Sequence, residues 1–314
     1  MRTAVINTVH KIMSKNKNVY FLTGDLGYTA LEEIEQDYPD KFINVGVAEQ
    51  NMIGVASGLA LSGKTVFVYS IIPFVTMRCY EQIRDDACYH NLNIKIIGVG
   101  SGLSYGVLGS THFALEDIGI MRCLPNMTVI SPADPVEAEL ATKKIFIHPG
   151  PVYLRLGKKG EPTIYKGSYN FEIGKPKILI KGKNIIIFSH GGILFNVLEA
   201  ANILKESYKI DPTVINMHTI KPVDKEFILD ICKTAKMSFV VEEHSVIGGL
   251  GSTIAEILSQ ESNMPILKII GTNDLFIKHI GTQDYIRKKL SFDPNGIVKI
   301  ILKSVMENLK SPEF

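Results

Sequence analysis

The stretch FINVGVAEQNMIGVASGLALSGKTVFVYS (42–70) decides how the chain is read. FINV is a short apolar run that ends at Gly46. AEQNMIGVASGLAL (48–61) has the apolar spacing of a helix and is rich in small residues. TVFVYS (65–70) is β-branched and aromatic, the composition of a strand. Glu49 opens the helix with Gly46, Ala48, Gly54, Ala56, Ser57 and Gly58 around it. Small residues let another backbone or a flat ligand come close. On local pattern alone, Glu49 reads first as a helix-initiating carboxylate facing the helix dipole.

The same alternation continues on both sides. Val5 to Met13 has helical spacing, and VYFLTG (19–24) is an apolar run stopped by Gly. FVTMRCYEQIRDDACYH (74–90) reads as a helix, NIKIIGVG (93–100) as a buried strand, ALEDIGIMRCL (114–124) as a helix and NMTVIS (126–131) as a strand. DPVEAELATKKIF (134–146) is a helix with Asp134 as its cap and Pro135 at its first position. PVYLRLG (151–157) closes the series as a strand. The Gly-, Pro-, Lys- and Tyr-rich stretch 158–176 breaks the pattern and reads as a linker with room for a small hairpin. A second series comes after it, with strands at 184–192, 212–220, 237–245 and 265–271 and helices at 197–207, 224–235 and 251–260. The reading is α/β, two successive domains, each a mostly parallel sheet covered by helices. A length of 314 residues suits two domains, because single cores rarely grow beyond about 250 residues.

Composition removes several classes of function. The chain is 46% hydrophobic and 21% charged, with 34 basic and 32 acidic residues evenly mixed. This is globular composition without the basic tract that nucleic acid needs. Clusters such as Lys158-Lys159 and Arg287-Lys288-Lys289 read as solvated faces. No apolar run approaches the roughly 20 residues that span a bilayer, and the first 18 residues lack the apolar core of a signal peptide. Cys79, Cys88, Cys123 and Cys232 have neither a disulfide framework nor metal-ligand spacing, so they read as reduced thiols and no metal site is expected. The expectation is a cytoplasmic protein.

Four collinear segments resemble the transketolase family. VGVAEQN (45–51), with SGLA five residues later, resembles its pyrimidine-binding domain and that of deoxyxylulose-phosphate synthases. The segments at 67–97 and 109–134 resemble the next parts of the same domain. NIIIFSHGG, VINMHTIKPVD and FVVEEHSVIGGLGSTIAEIL resemble the family's C-terminal domain. Motifs that are weak one by one become specific in order, here over about residues 2–270. The resemblance implies a pyrimidine-binding domain at 1–160, a linker at 161–182 and a transketolase C-terminal domain at 183–314.

It also implies thiamine diphosphate as cofactor. Glu49 then matches the carboxyl group that exchanges a proton with the cofactor's N1′ and so promotes the tautomer that deprotonates the thiazolium carbon. Burial would favour the protonated form of such a group, while a helix N-terminus favours the anion. Phe74 matches the aromatic that stacks on the aminopyrimidine ring, though a core Phe at helical spacing is the plain alternative. Asp25 matches a residue that organises the site. Ile71 and Met77 stand where aromatic residues are usual, which makes the cofactor pocket more aliphatic. His112, in GSTHFALED, matches a histidine that bonds the donor sugar near its reacting carbon. Leu108 replaces an Asp four residues earlier, removing an acceptor for a substrate hydroxyl. For a sugar phosphate, Arg2, Thr29 and either Lys158 or Arg155 fall at the family's phosphate-contacting places.

Three near misses are set aside. GDL (24–26) with Asn51 lacks the third residue of the Gly-Asp-Gly…Asn motif that holds magnesium and diphosphate. GVGSGLSYG (98–106) and GGLGSTIAEI (248–257) lack dinucleotide-fingerprint spacing. The resemblance therefore implies a partner, an N-terminal transketolase subunit that carries the Gly-Asp-Gly…Asn motif and most of the Mg2+ coordination. The simplest assembly is α2β2. The expected function is the β-type half of a split transketolase moving a two-carbon ketol unit between sugars or sugar phosphates. Two alternatives stay open. One is a subunit of another thiamine diphosphate enzyme, like a deoxyxylulose-phosphate synthase or a 2-oxo-acid dehydrogenase β chain. The other is a non-catalytic interaction subunit, which Ile71, Met77 and Leu108 would suit.

Overall fold

The computed structural model describes residues 1–309. Within them, twelve strands form two sheets. In chain order they are β1 Val19–Thr23, β2 Phe42–Asn44, β3 Thr65–Ile71, β4 Ile94–Val99, β5 Thr128–Ile130, β6 Val152–Leu156, β7 Lys177–Ile180, β8 Asn184–Ser189, β9 Thr213–Asn216, β10 Thr219–Lys221, β11 Ala235–Ser245 and β12 Ile266–Thr272. The first sheet runs β10-β5-β6-β4-β3-β1-β2 and the second β12-β11-β8-β9-β7. All pairings are parallel except β10 with β5 and β7 with β9. The α/β reading holds, with mostly parallel sheets flanked by helices.

Parallel strands need long crossovers, and the helices supply them. The Glu49–Leu61 helix connects β2 to β3 and buries Met52, Ile53, Ala56 and Ser57. Central strands are covered on both faces: every residue of β4 and of β6 is buried. One apolar core runs across both sheets, placing Leu22, Met52 and Val68 with Phe188, Ile215 and Val240.

Three local readings change. The segment 74–90 is not one helix. A short helix, Ile72–Thr76, comes straight off β3, the chain turns at 77–79, and a π-helical stretch, Ile83–Tyr89, lies beyond. The expected helix at 114–124 begins only at Asp117, because Ala114 is still extended and bridges to Gly102. The single strand expected at 212–220 is two strands in different sheets, β9 in the second and β10 along the edge of the first.

The stretch 158–176, all of it within the described residues, contains no strand. It is instead pinned by the cap that the sequence marked. Buried Asp134 accepts from the Glu137 amide through Oδ1 at 2.7 Å, which caps the Pro135–Ile147 helix. Its Oδ2 accepts from the amides of Ile164 and Tyr165, both at 2.8 Å. Asp134→Ala removes a cap and orphans two amides, so we expect a loss of at least about 2 kcal/mol in urea unfolding. Proteolysis within 158–176 should quicken in the same variant. Unchanged cleavage there would show that the carboxylate does not hold the segment.

Candidate functional site

The C-terminal ends of β1, β3, β4 and β6 lie side by side, the place where parallel α/β sheets bind ligands. Glu49 sits at the first turn of its helix beside them and is only 2% exposed. Its Oε1 accepts from Ser70 Oγ at 3.2 Å, at the end of β3 beside Ile71. Its Oε2 accepts from Arg78 Nη1 at 3.2 Å. Glycines keep the approach open. A Cβ on Gly24 would come to 3.5 Å from Glu49 Oε1, while one on Gly46, with φ +73°, meets nothing within 4 Å. A groove of about 450 Å³ runs past Val47, Glu49, Asn51 and Arg78. A buried carboxylate that faces a glycine-lined opening, with only a hydroxyl and a half-exposed guanidinium on it, fits a flat heteroaromatic ring that offers a nitrogen.

Arg78 is the residue the sequence reading missed. Its guanidinium carbon lies 3.9 Å from the centroid of the Phe74 ring, so the group stacks on Phe74 while it bonds Glu49. It comes from the turn between the Ile72–Thr76 helix and the next one, and a helix pattern gives no hint of that turn. Phe74 in turn meets His112 edge to face, with centroids 5.2 Å apart at 70°. His112 Nδ1 is 2.9 Å from Thr111 Oγ1. Burial, and then the Arg78 charge, hold its pKa below the ordinary histidine range. It is therefore a neutral imidazole at pH 7, able to offer either a donor or an acceptor.

The remaining expected residues divide. Asp25, with φ +58°, is built into the turn before Glu49: its amide donates to Asn44 Oδ1 at 2.9 Å, and that same oxygen accepts from the Gly46 amide at 3.0 Å. Leu108 is half exposed on the loop ending at His112. Met77, 39% exposed, precedes Arg78. Lys158 lies over the Tyr105 ring, 4.7 Å from its centroid, and the Arg2 charge acts on the phenols of Tyr69 and Tyr105. Thr29 stays on the exposed first loop, with its amide bound to Glu32 Oε1 at 2.6 Å.

Arg155 is a correction. It is 2% exposed, and its Nε and Nη2 are engaged inside the protein. Nε donates to Asp117 Oδ2 at 2.7 Å, and Nη2 donates to the Ala114 and Glu243 carbonyls at 2.8 and 3.1 Å. A guanidinium buried and bonded this way is not free to bind a phosphate; of the two basic candidates after β6, Lys158 is the one that lies outside the core, over Tyr105.

Comparison with known proteins decides the family. Residues 1–162 match the model of the transketolase pyrimidine binding domain and residues 174–297 that of the transketolase C-terminal domain. The chain belongs to the transketolase family. It is 38% identical over 308 residues to a putative transketolase C-terminal section of Methanocaldococcus jannaschii, covering 97% of this chain and 96% of that one. It is 37% identical over 267 residues to an apulose-4-phosphate transketolase subunit of Actinobacillus succinogenes, covering 85% and 86%. A solved split-gene transketolase, an inactive beta4 tetramer, superposes with a TM-score of 0.86 at 34% identity over 97% of each chain. The chain is thus of the kind that forms one subunit of a split transferase of this family.

The charge of Arg78 on His112 can be measured without turnover. In an NMR titration, His112 should protonate below the ordinary histidine value of about 6.5. Arg78→Met removes a positive charge, so the His112 pKa should rise. A fall, or no movement, would mean that Arg78 does not act on the imidazole.

Proposed function

We propose that this chain is the C-terminal, β-type subunit of a split transketolase that transfers a two-carbon ketol unit between sugars or sugar phosphates. The observation that carries the reading is the join of Glu49 to Phe74 and His112, in the order in which the family reaction needs a proton-exchanging carboxyl, a ring platform and a sugar-contacting imidazole. The three lie on separate elements, after β2, after β3 and after β4.

Thiamine diphosphate, when bound, supplies the carbanion that accepts and releases the ketol unit. This chain's part is to hold and steer it. Glu49 offers a carboxyl oxygen to the aminopyrimidine nitrogen and exchanges a proton with it. Ser70 and Arg78 fix the rotamer of Glu49 through one bond each. Phe74 provides the aromatic face, and Ile71 and Met77 provide aliphatic flanks. Asp25 and Asn44 hold the turn that aims the Glu49 helix. His112, neutral at pH 7, bonds the donor's oxygens beside the reacting carbon. Arg2, Lys158 and Thr29 are assigned to the far, anionic end of a sugar phosphate.

Magnesium and the diphosphate are assigned to an N-terminal subunit with the Gly-Asp-Gly…Asn motif, in an α2β2 assembly in the cytoplasm. Among the described residues no group of three or more His, Cys, Asp and Glu side chains is arranged to hold a metal ion. No described helix is long and apolar enough to cross a membrane. That the split-gene relative is inactive as a beta4 tetramer supports the need for a second kind of subunit. The relative named for apulose-4-phosphate supports a substrate outside the ordinary pentose phosphates, as does Leu108.

The decisive variant is Glu49→Gln, which keeps the shape of the side chain but cannot exchange the proton. In the complex with its partner it should fold as wild type and lose turnover by about two orders of magnitude or more. A near-wild-type rate would sink the assignment. Leu108→Asp should shift relative kcat/KM towards donors bearing a hydroxyl next to the reacting carbons. If the ranking of donors stays the same, Leu108 does not line the donor path.

A further inference from the structure

Arg78 makes two contacts at once that the proposed function asks of a ligand. Its Nη1 donates to Glu49 Oε2 at 3.2 Å, and its guanidinium carbon stands 3.9 Å from the centroid of the Phe74 ring. A guanidinium is flat and delocalised and carries its N–H donors in its own plane, so it can stack and hydrogen-bond together. An aminopyrimidine is flat too, and it is assigned the same two partners, the Glu49 carboxyl and the Phe74 face. His112 meets Phe74 at 70°, edge to face, which leaves the flat contact with Phe74 to Arg78. A stacked layer lies roughly 3.5–4 Å above a ring and holds one flat group.

The surroundings let Arg78 move and keep the other two groups still. The Arg78 side chain is 49% exposed, against 2% for Glu49. It stands at the turn between two short helices, Ile72–Thr76 and Tyr80–Gln82, and lines the groove that runs past Val47, Glu49 and Asn51. Leaving Phe74 therefore takes a guanidinium into water and opens no hole in the core. Ser70 Oγ keeps its bond to Glu49 Oε1, and Phe74 is fixed by its helix, in which Ile72, Pro73, Val75 and Thr76 are buried. We propose that Arg78 is a gate on the cofactor site: in the free chain its guanidinium holds the place over Phe74 and beside Glu49, and it swings outward when the aminopyrimidine ring enters. The proposal rests on the thiamine diphosphate reading of Glu49 and Phe74. Ring binding must offset the contacts that Arg78 gives up. The chain alone then takes the cofactor weakly, and the partner's hold on the diphosphate makes up the difference.

The test compares wild type with Arg78→Met and Arg78→Lys. In the complete complex with the partner subunit, thiamine diphosphate is titrated with magnesium present and followed by calorimetry. Arg78→Met should bind it about ten-fold tighter, because a cation–π contact and a bond to a charged group no longer have to be broken. Arg78→Lys keeps the charge but loses the flat fork, and should fall between the two. Equal or weaker binding by an Arg78→Met complex that still transfers ketol units overturns the gate and leaves the transketolase reading intact. The second arm needs no turnover: the full chain alone is titrated with a neutral probe, 4-amino-2-methylpyrimidine, and followed by NMR. In wild type the cross-relaxation between Arg78 and the Phe74 ring should vanish as the probe binds. The His112 pKa, which the Arg78 charge helps to hold down, should rise at the same time. Probe binding that leaves both signals unchanged overturns the gate. If the probe displaces Arg78 while the complex transfers no ketol unit, the transketolase reading fails and the gate stands. Binding of neither ligand to any form overturns both.

Discussion

A single buried ion pair sets the positions of the loops on which the site depends. Arg155, at the penultimate position of β6, reaches Asp117 at the start of its helix, the Ala114 carbonyl just before it, and the Glu243 carbonyl in β11 of the second sheet. Tyr153, two residues earlier on the same face, donates to the same Asp117 carboxylate at 2.6 Å. Charges this deep cost several kcal/mol to desolvate, and the cost is met only if every donor finds an acceptor. That requirement fixes the distance between β6, the segment leading out of the His112 loop, and the second half of the chain. Glu243 carries the constraint onward through its carboxylate, which pairs with Arg287 at 2.8 Å.

Much of the architecture was legible. Runs such as NIKIIGVG and PVYLRLG are apolar at nearly every position, as a strand covered on both faces requires, and they became β4 and β6. Asp134-Pro135 marked its helix to the residue. Glu49, Phe74 and His112 could be picked out because each sits in a stretch whose order matches a family, and the structure brings them into one chain of contacts. What could not be read was set by contacts between distant segments. VINMHTIK looks like one strand because nothing in its apolar pattern records that the chain changes sheets at Met217 and His218. Arg155 stood as a candidate phosphate contact because its partners are 38 and 88 residues away in sequence.

Arg78, which pattern missed, and Tyr105, which packs against its neighbour His112, share a cause. Arg78 lies in a turn inside what reads as a continuous helix, where an Arg on the polar face asks for no explanation. Tyr105 lies in a glycine-rich loop, and its position is set by the absence of a side chain at Gly100. Both make a cation–π contact, Arg78 on Phe74 and Lys158 on Tyr105, and such stacking leaves no spacing rule in a sequence.

The edge strand β10 has a consequence for how the chain can be cut and rejoined. It belongs to the second half by sequence and to the first sheet by hydrogen bonds, where it covers β5. A hybrid joined at 158–176 to a foreign C-terminal half would leave the backbone of Thr128–Ile130 bare unless the newcomer brought a strand of matching register. Bare edges invite pairing with other chains, so a mismatched hybrid would aggregate rather than merely lose activity. The halves are therefore matched to each other through β10, and the seam that looks like a linker in the sequence is not a place where modules can be freely exchanged.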